Sequence, residues 1–213
     1  MRRPVISSRS IDVSTGINQY FDEVVGHAVQ RLSVDTTEAA RHYLVELLCD
    51  YARPGAAAAT ALDKPLTLLL RDALEAAGAE RFERLRRIGD GILYALGFFG
   101  ESVTRRGADR DYVVTLGSSA YGHAAAMLRR PALGRGSPGS HGPDVLSELA
   151  HKYDAFVGVV SEVADVSLAN AAATDTARAV RLYERWVESG SPHLAVHLCE
   201  IGLFPTPPAE GLH

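Results

Sequence analysis

Apolar residues recur along this chain with the period of an α-helix, and stop signals divide the pattern into seven to eight segments. Ile17, Phe21, Val24, Val25, Ala28 and Leu32 share one face of a first helix, Ile17 to Leu32. Asp35 followed by Glu38 has capping-box spacing and opens a second, Thr36 to Ala52, which Pro54-Gly55 ends. Pro65 suits the first position of a third helix, which runs to Ala77. The fourth, Ala79 to Phe99, starts amphipathic and becomes apolar on every side after Gly91. Such a segment has to be surrounded by other helices, which puts it at the centre of the domain. Gly89, Gly91 and Gly97 would let neighbouring backbones come close to it. A fifth helix runs from Asp109 or Asp111 to about Arg130, and a sixth from Pro143 to about Ser167. A seventh starts at Thr174 or Thr176 and runs through Glu188, and a short last helix ends at Gly202.

Strand-like alternation is missing, so the expected fold is all-α, a single-domain bundle around the helix at 79–99. The segment 1–15 reads as a flexible arm and Gly55 to Lys64 as an Ala-rich connector. Pro131 to Gly142 reads as a flexible loop and 204–213 as a Pro-rich tail, leaving 16–203 as the helical domain.

Composition narrows the function classes. Net charge is −4, and the densest basic stretch, Arg81 to Arg87, is broken by Glu83, so a solvated helix face is expected rather than a nucleic-acid surface. The longest nearly apolar run, Gly91 to Gly100, is short for a bilayer span, and no signal peptide follows Met1-Arg2-Arg3. These features lead to a cytoplasmic expectation. Cys49 and Cys199 each sit in a helical apolar pattern and are expected as buried free thiols.

Glu148 and His151 form a Glu-x-x-His pair of the kind that iron-carboxylate bundles use, and Glu23/His27 and Glu38/His42 are spaced i, i+4. At about 100° per residue, all three pairs avoid the apolar stripes of their helices, so the metal reading stays a weak alternative and no cofactor is expected. His123 differs: it falls on one face with Tyr112, Val113, Leu116, Ala120, Ala124 and Met127. It is either a core histidine or the ligand or acid–base group of a pocket shared with Tyr112, Tyr94 and Asp90. Asp90 itself is either a solvated residue or a partly buried acid with a partner. Gly117-Ser118-Ser119-Ala120-Tyr121 is not a nucleophile elbow, and Gly89-Asp90-Gly91 and Gly134-Arg135-Gly136 lack the strand of a dinucleotide fold. Tyr183 and Trp186, at i, i+3, fit a core or a partner-facing stripe.

Four segments, YLVELL at Tyr43 to Leu48, RIGDGILYALGFFGES at Arg87 to Ser102, DYVVTLGSSAYGHAA at Asp111 to Ala125 and RLYERWVESGSPHLAVHLCEIGL at Arg181 to Leu203, carry a resemblance. In that order they resemble a family of uncharacterised all-helical bacterial proteins of about this length. The resemblance implies a single helical domain and supplies no activity, ligand or catalytic residue. The functional expectation is a non-enzymatic helical interaction or oligomerisation protein, a homodimer or one with a protein partner, binding neither nucleic acid nor membrane. The alternative is a ligand- or metal-binding, oxygenase-like helical protein with its pocket near His123.

Overall fold

The computed structural model describes residues 13–53, 65–105, 107–128, 143–172, 175–190 and 192–204. These form nine helices and no strand: α1 (Val13–Arg31), α2 (Glu38–Ala52), α3 (Leu66–Glu75), α4 (Gly78–Arg105), α5 (Arg110–Leu128), α6 (Pro143–His151), α7 (Tyr153–Ala172), α8 (Thr176–Ser189) and α9 (Pro192–Glu200). The all-α reading therefore stands. The connector at 55–64, the loop at 131–142 and nearly all of the arm and tail lie outside the described residues.

α4 is the central helix. It packs on α3, α5 and α7, and Ile92, Leu93, Ala95 and Leu96 are buried, but Tyr94 and Phe98 are half-buried and Phe99 is exposed, so the segment is not enclosed on every side as expected. The close approach expected at its glycines occurs at two of them. A Cβ on Gly89 would collide with the Tyr121 ring of α5, and one on Gly97 with Val160 of α7. Gly117 on α5 plays the same part for the Tyr153 ring of α7. Three helices thus meet where glycine removes the side chain that would hold them apart.

Helix ends depart from the sequence reading in instructive ways. Thr37, not Asp35, is the N-cap of α2, and its Oγ1 accepts from the Ala40 N–H. The partner that completes this cap comes from another helix: Glu148 of α6 accepts from the Thr37 N–H at 3.0 Å and from its hydroxyl at 2.6 Å. Asp175 caps α8 by accepting from the Ala177 N–H at 2.9 Å, where Thr174 or Thr176 was expected. The expected helix from Pro143 to Ser167 is two helices, α6 and α7, interrupted at Lys152. The helix expected to end at Phe99 bends there instead: α4 continues to Arg105 through a non-helical Phe99 with φ −133° and ψ 23°.

Two cores result. The larger joins α1 to α7; the smaller holds Ala169, Ala172, Leu182, Trp186, Leu194 and Leu198, where α8 and α9 pack on the end of α7. Tyr183 and Trp186 belong to this second cluster, with Tyr183 partly exposed. α7 is long and apolar enough to cross a bilayer by composition. It carries Glu162 and Asp165, however, which are buried and ion-paired to Arg31 of α1 and Arg185 of α8. Those pairs are what a helix at a protein–protein seam needs and a lipid-facing one lacks.

Gly117→Ala should destabilise the fold by about 1–3 kcal/mol, because the added methyl overlaps a buried ring in a close-packed region. Gly122→Ala, one turn further on, meets only Ala150 Cβ at 4.0 Å and should be neutral or stabilising. Urea denaturation of the two variants checks the contrast; equal midpoints would refute it.

Candidate functional site

The four residues expected to share a pocket are not brought together. His123 and Tyr112 are exposed, Tyr94 is half-buried, and only Asp90 is buried. On α5 the buried positions are Val113, Leu116, Gly117, Ala120, Tyr121, Ala124 and Ala125. That arc is centred on Gly117, Ala120 and Ala124, the small residues where helices approach most closely. Tyr112 and His123 sit past its edge, so the core-histidine reading of His123 is corrected along with the pocket. Tyr94 stacks between Tyr51 at 4.4 Å and Phe98 at 4.5 Å.

Asp90 is the buried acid with partners. Its Oδ1 accepts from the Tyr43 hydroxyl at 2.5 Å and the Tyr121 hydroxyl at 2.6 Å, and its Oδ2 from Arg86 Nη1 at 3.1 Å. Burial pushes its carboxyl up, while Arg86 and the two phenols pull it back. The same burial, with the Asp90 charge alongside, pushes the Tyr43 and Tyr121 phenols up. Tyr153 donates to the Gly89 carbonyl at 2.8 Å, one residue away. The network ties α2, α4, α5 and α7 together with every named polar group satisfied. The hollow beside it is only about 70 Å³. It is a polar lock in the core rather than a place for a ligand.

The candidate metal pairs also disperse. Glu148 is committed to Thr37 and, at 3.2 Å, to Lys152. His151 is exposed, with Nδ1 2.7 Å from the Ser147 carbonyl oxygen. Glu38 pairs with Arg41, and His42 lies 3.3 Å from Glu46. Among the described residues no group of three or more His, Cys, Asp or Glu side chains is placed to hold a metal ion.

A larger hollow than the one beside Asp90 lies elsewhere, between the far half of α4, α7 and α8. Two hollows of about 720 and 660 Å³ adjoin at Gly100, Arg105, Arg185 and Glu188 and make a trough that Arg185 and the Arg105–Glu188 pair cross. Its floor is α7, from Val157 through Ala164 and Leu168 to Ala171. Phe98, Phe99 and Gly100 at the α4 bend form one wall, and Arg178, Arg181 and Arg185 on α8 form the other. The bend leaves Phe99 54% exposed, although its neighbours in sequence belong to the apolar centre.

One side chain builds this trough. Arg185 Nε lies 2.6 Å from Asp165 of α7, its Nη1 donates to the Phe98 carbonyl at 3.1 Å, and its Nη2 reaches the Gly97 carbonyl and Ser161 Oγ at 3.4 Å. A bend tilts the preceding carbonyls away from their helical donors, and the guanidinium supplies replacements. Burial pushes the Asp165 carboxyl up, and Arg185, Arg31 and His197 pull it back.

Sequence reasoning missed the trough, but a signal existed. On α8, Arg178, Arg181 and Arg185 recur at i, i+3, i+7 on the side opposite Ala179, Leu182, Tyr183 and Trp186. Glu184 and Glu188 share that face, so it is a charged face of mixed sign.

Two variants test these assignments. Arg185→Met should cost about 3–5 kcal/mol in urea denaturation, since it strands a buried carboxylate and two carbonyls; a loss below about 1 kcal/mol would refute the clamp. For Glu148, burial would raise the carboxyl pKa, yet the two Thr37 bonds and Lys152 hold it below the ordinary 4.5. Its contribution is therefore present above that value and is lost as pH falls through the lower folded one. Glu148→Gln should lower stability by roughly 1–3 kcal/mol at neutral pH, with the gap closing as pH falls below the ordinary 4.5. A gap independent of pH would contradict the assignment. Comparison of the chain with family models, curated proteins and solved structures finds no match.

Proposed function

We propose that this chain is a non-enzymatic helical interaction protein that holds a segment of a partner protein in the trough between α4, α7 and α8. The observation that carries the reading is Phe99, a large aromatic side chain held half in solvent over an apolar floor by a bend that Arg185 clamps. Exposed aromatic anchors at the edge of an open groove are a feature of protein recognition surfaces. The lining is mixed in charge: Arg105, Arg110, Arg178, Arg181 and Arg185 stand with Asp165, Glu184 and Glu188, and Asp154 and Asp175 pair with Arg110 and Arg178. Binding rather than catalysis fits the chemistry present: Asp165 and Glu188 are ion-paired to Arg185 and Arg105, and no histidine among the described residues lines the trough.

A second reading, self-association, is favoured by a different observation. Among the described residues, Val180, Val187, Val196, Leu203 and Phe204 are large apolar side chains left exposed on α8, α9 and the residues after them. They lie over the smaller core of six residues. A second copy of the chain, presenting the same face, would cover that patch on both partners; stable dimers bury roughly 800 Å² on each. Sedimentation equilibrium tests it: a monomer at high concentration rules it out.

Gly100 gives the direct test of the trough. A Cβ there meets nothing within 4 Å, so Gly100→Trp should fill the trough while leaving the fold intact. The wild-type chain used as bait in extract of its source cells should retain a partner that Gly100→Trp and Phe99→Ser lose. Identical retention by all three would refute the reading.

A further inference from the structure

The two cores meet on α7 without merging. The larger ends there at Val163, and the smaller begins at Ala169. Asp165 lies between them, paired to Arg185 of α8, and Glu162, one turn earlier, is paired to Arg31 of α1. A band of buried charge therefore crosses α7 between the two apolar clusters. The end of α7 still belongs to the body of the molecule. The Tyr20 hydroxyl of α1 donates to Ser167 Oγ at 3.1 Å and accepts from Asn170 Nδ2 at 3.4 Å.

α8 and α9 are held differently. They pack on α7 and on each other, and Gly190, with φ 62°, ends α8 in the left-handed turn that leads into α9. α8 reaches α4 through side chains: Arg185 to the Gly97 and Phe98 carbonyls, and Glu188 to Arg105. The two hollows adjoin at these bridges, so water can take over the groups that Arg185 serves when it withdraws. Little apolar surface adds to the hold. Val180, Val187 and Val196 face solvent, and the small core rests mainly on Leu182, Trp186, Leu194 and Leu198. A unit with so few buried apolar contacts opens at lower free energy than the rest of its domain.

We infer that α8 and α9 form a latched unit that opens from the end of α7 as one piece while α1 to α7 stay folded, with Arg185 as the latch. Opening frees Leu182 and Trp186 and bares Ala169 and Ala172, an apolar surface that the closed form hides. The inference is independent of the partner-segment reading, because it asks nothing to lie in the trough.

Trp186 reports on the unit by itself, since it is the one tryptophan of the chain and is 7% exposed in the small core. In a urea titration of the full chain, its fluorescence should shift to the red at lower urea than the main loss of far-UV ellipticity, a separation that a single cooperative transition forbids. Leu198→Ala, on α9, should move the Trp186 transition further down, or complete it before urea is added, and leave the main ellipticity transition in place. Arg185→Met should do the same. Amide exchange without urea should show α8 and α9 sharing one opening, about tenfold or more easier than that of α5. Coincident fluorescence and ellipticity transitions in the wild-type chain overturn the inference, as does a Leu198→Ala variant that lowers both equally. If Leu198→Ala separates the unit but Arg185→Met leaves the Trp186 transition unmoved, the assignment of Arg185 as latch is overturned.

Discussion

Arg185 is asked to serve a buried carboxylate, a serine hydroxyl and two main-chain carbonyls with one planar group, and the shape of half the molecule follows from that. An arginine suits the task because its donors are fixed in a fork and its charge is permanent. With Asp165 on α7 and the Gly97 and Phe98 carbonyls on α4 held at once, α8 cannot slide relative to either helix. The bend at Phe99 is then part of the fold, not a frayed end. Its consequences are an exposed aromatic ring, an apolar floor and an arginine-lined wall in one place.

The other half is held by a different device with the same logic. Asp90 gathers Tyr43, Tyr121 and Arg86 from α2, α5 and α4, and glycines at 89 and 117 let the tyrosine rings pass between backbones. A buried carboxylate is tolerable only when its acceptor sites are filled, so the network also fixes which helix faces meet. The half around Asp90 therefore has this network's polar groups turned inward and satisfied. The half around α8 has a smaller core and turns several of its charges outward. That asymmetry is why the binding reading is placed on α8 and not on the tyrosine lock.

Much of the fold was legible in the sequence, because helical periodicity marks large apolar residues well. The central position of 92–96 and the close contacts at Gly89 and Gly97 followed from an all-apolar run punctuated by glycine. The reading failed where small residues decide the geometry. On α5 the large side chains Tyr112 and Leu116 suggested one face, but Gly117, Ala120 and Ala124 set the real one and left His123 outside. Caps failed for a related reason: Glu148 reaches Thr37 across 111 residues, and no local motif announces such a bond. The trough was illegible because it depends on the bend at Phe99, which the sequence shows only as an end to the apolar run. Its one visible trace was the arginine row of α8.

The most direct test of the clamp is amide hydrogen exchange, resolved along α4, in the native chain and in Arg185→Gln. If Arg185 holds the bend, amides from Phe99 to Arg105 should exchange faster in the variant, while those around Ile88 to Leu93 and through α5 keep their protection. Unchanged protection over 99–105, or an equal loss along the whole of α4, would contradict it.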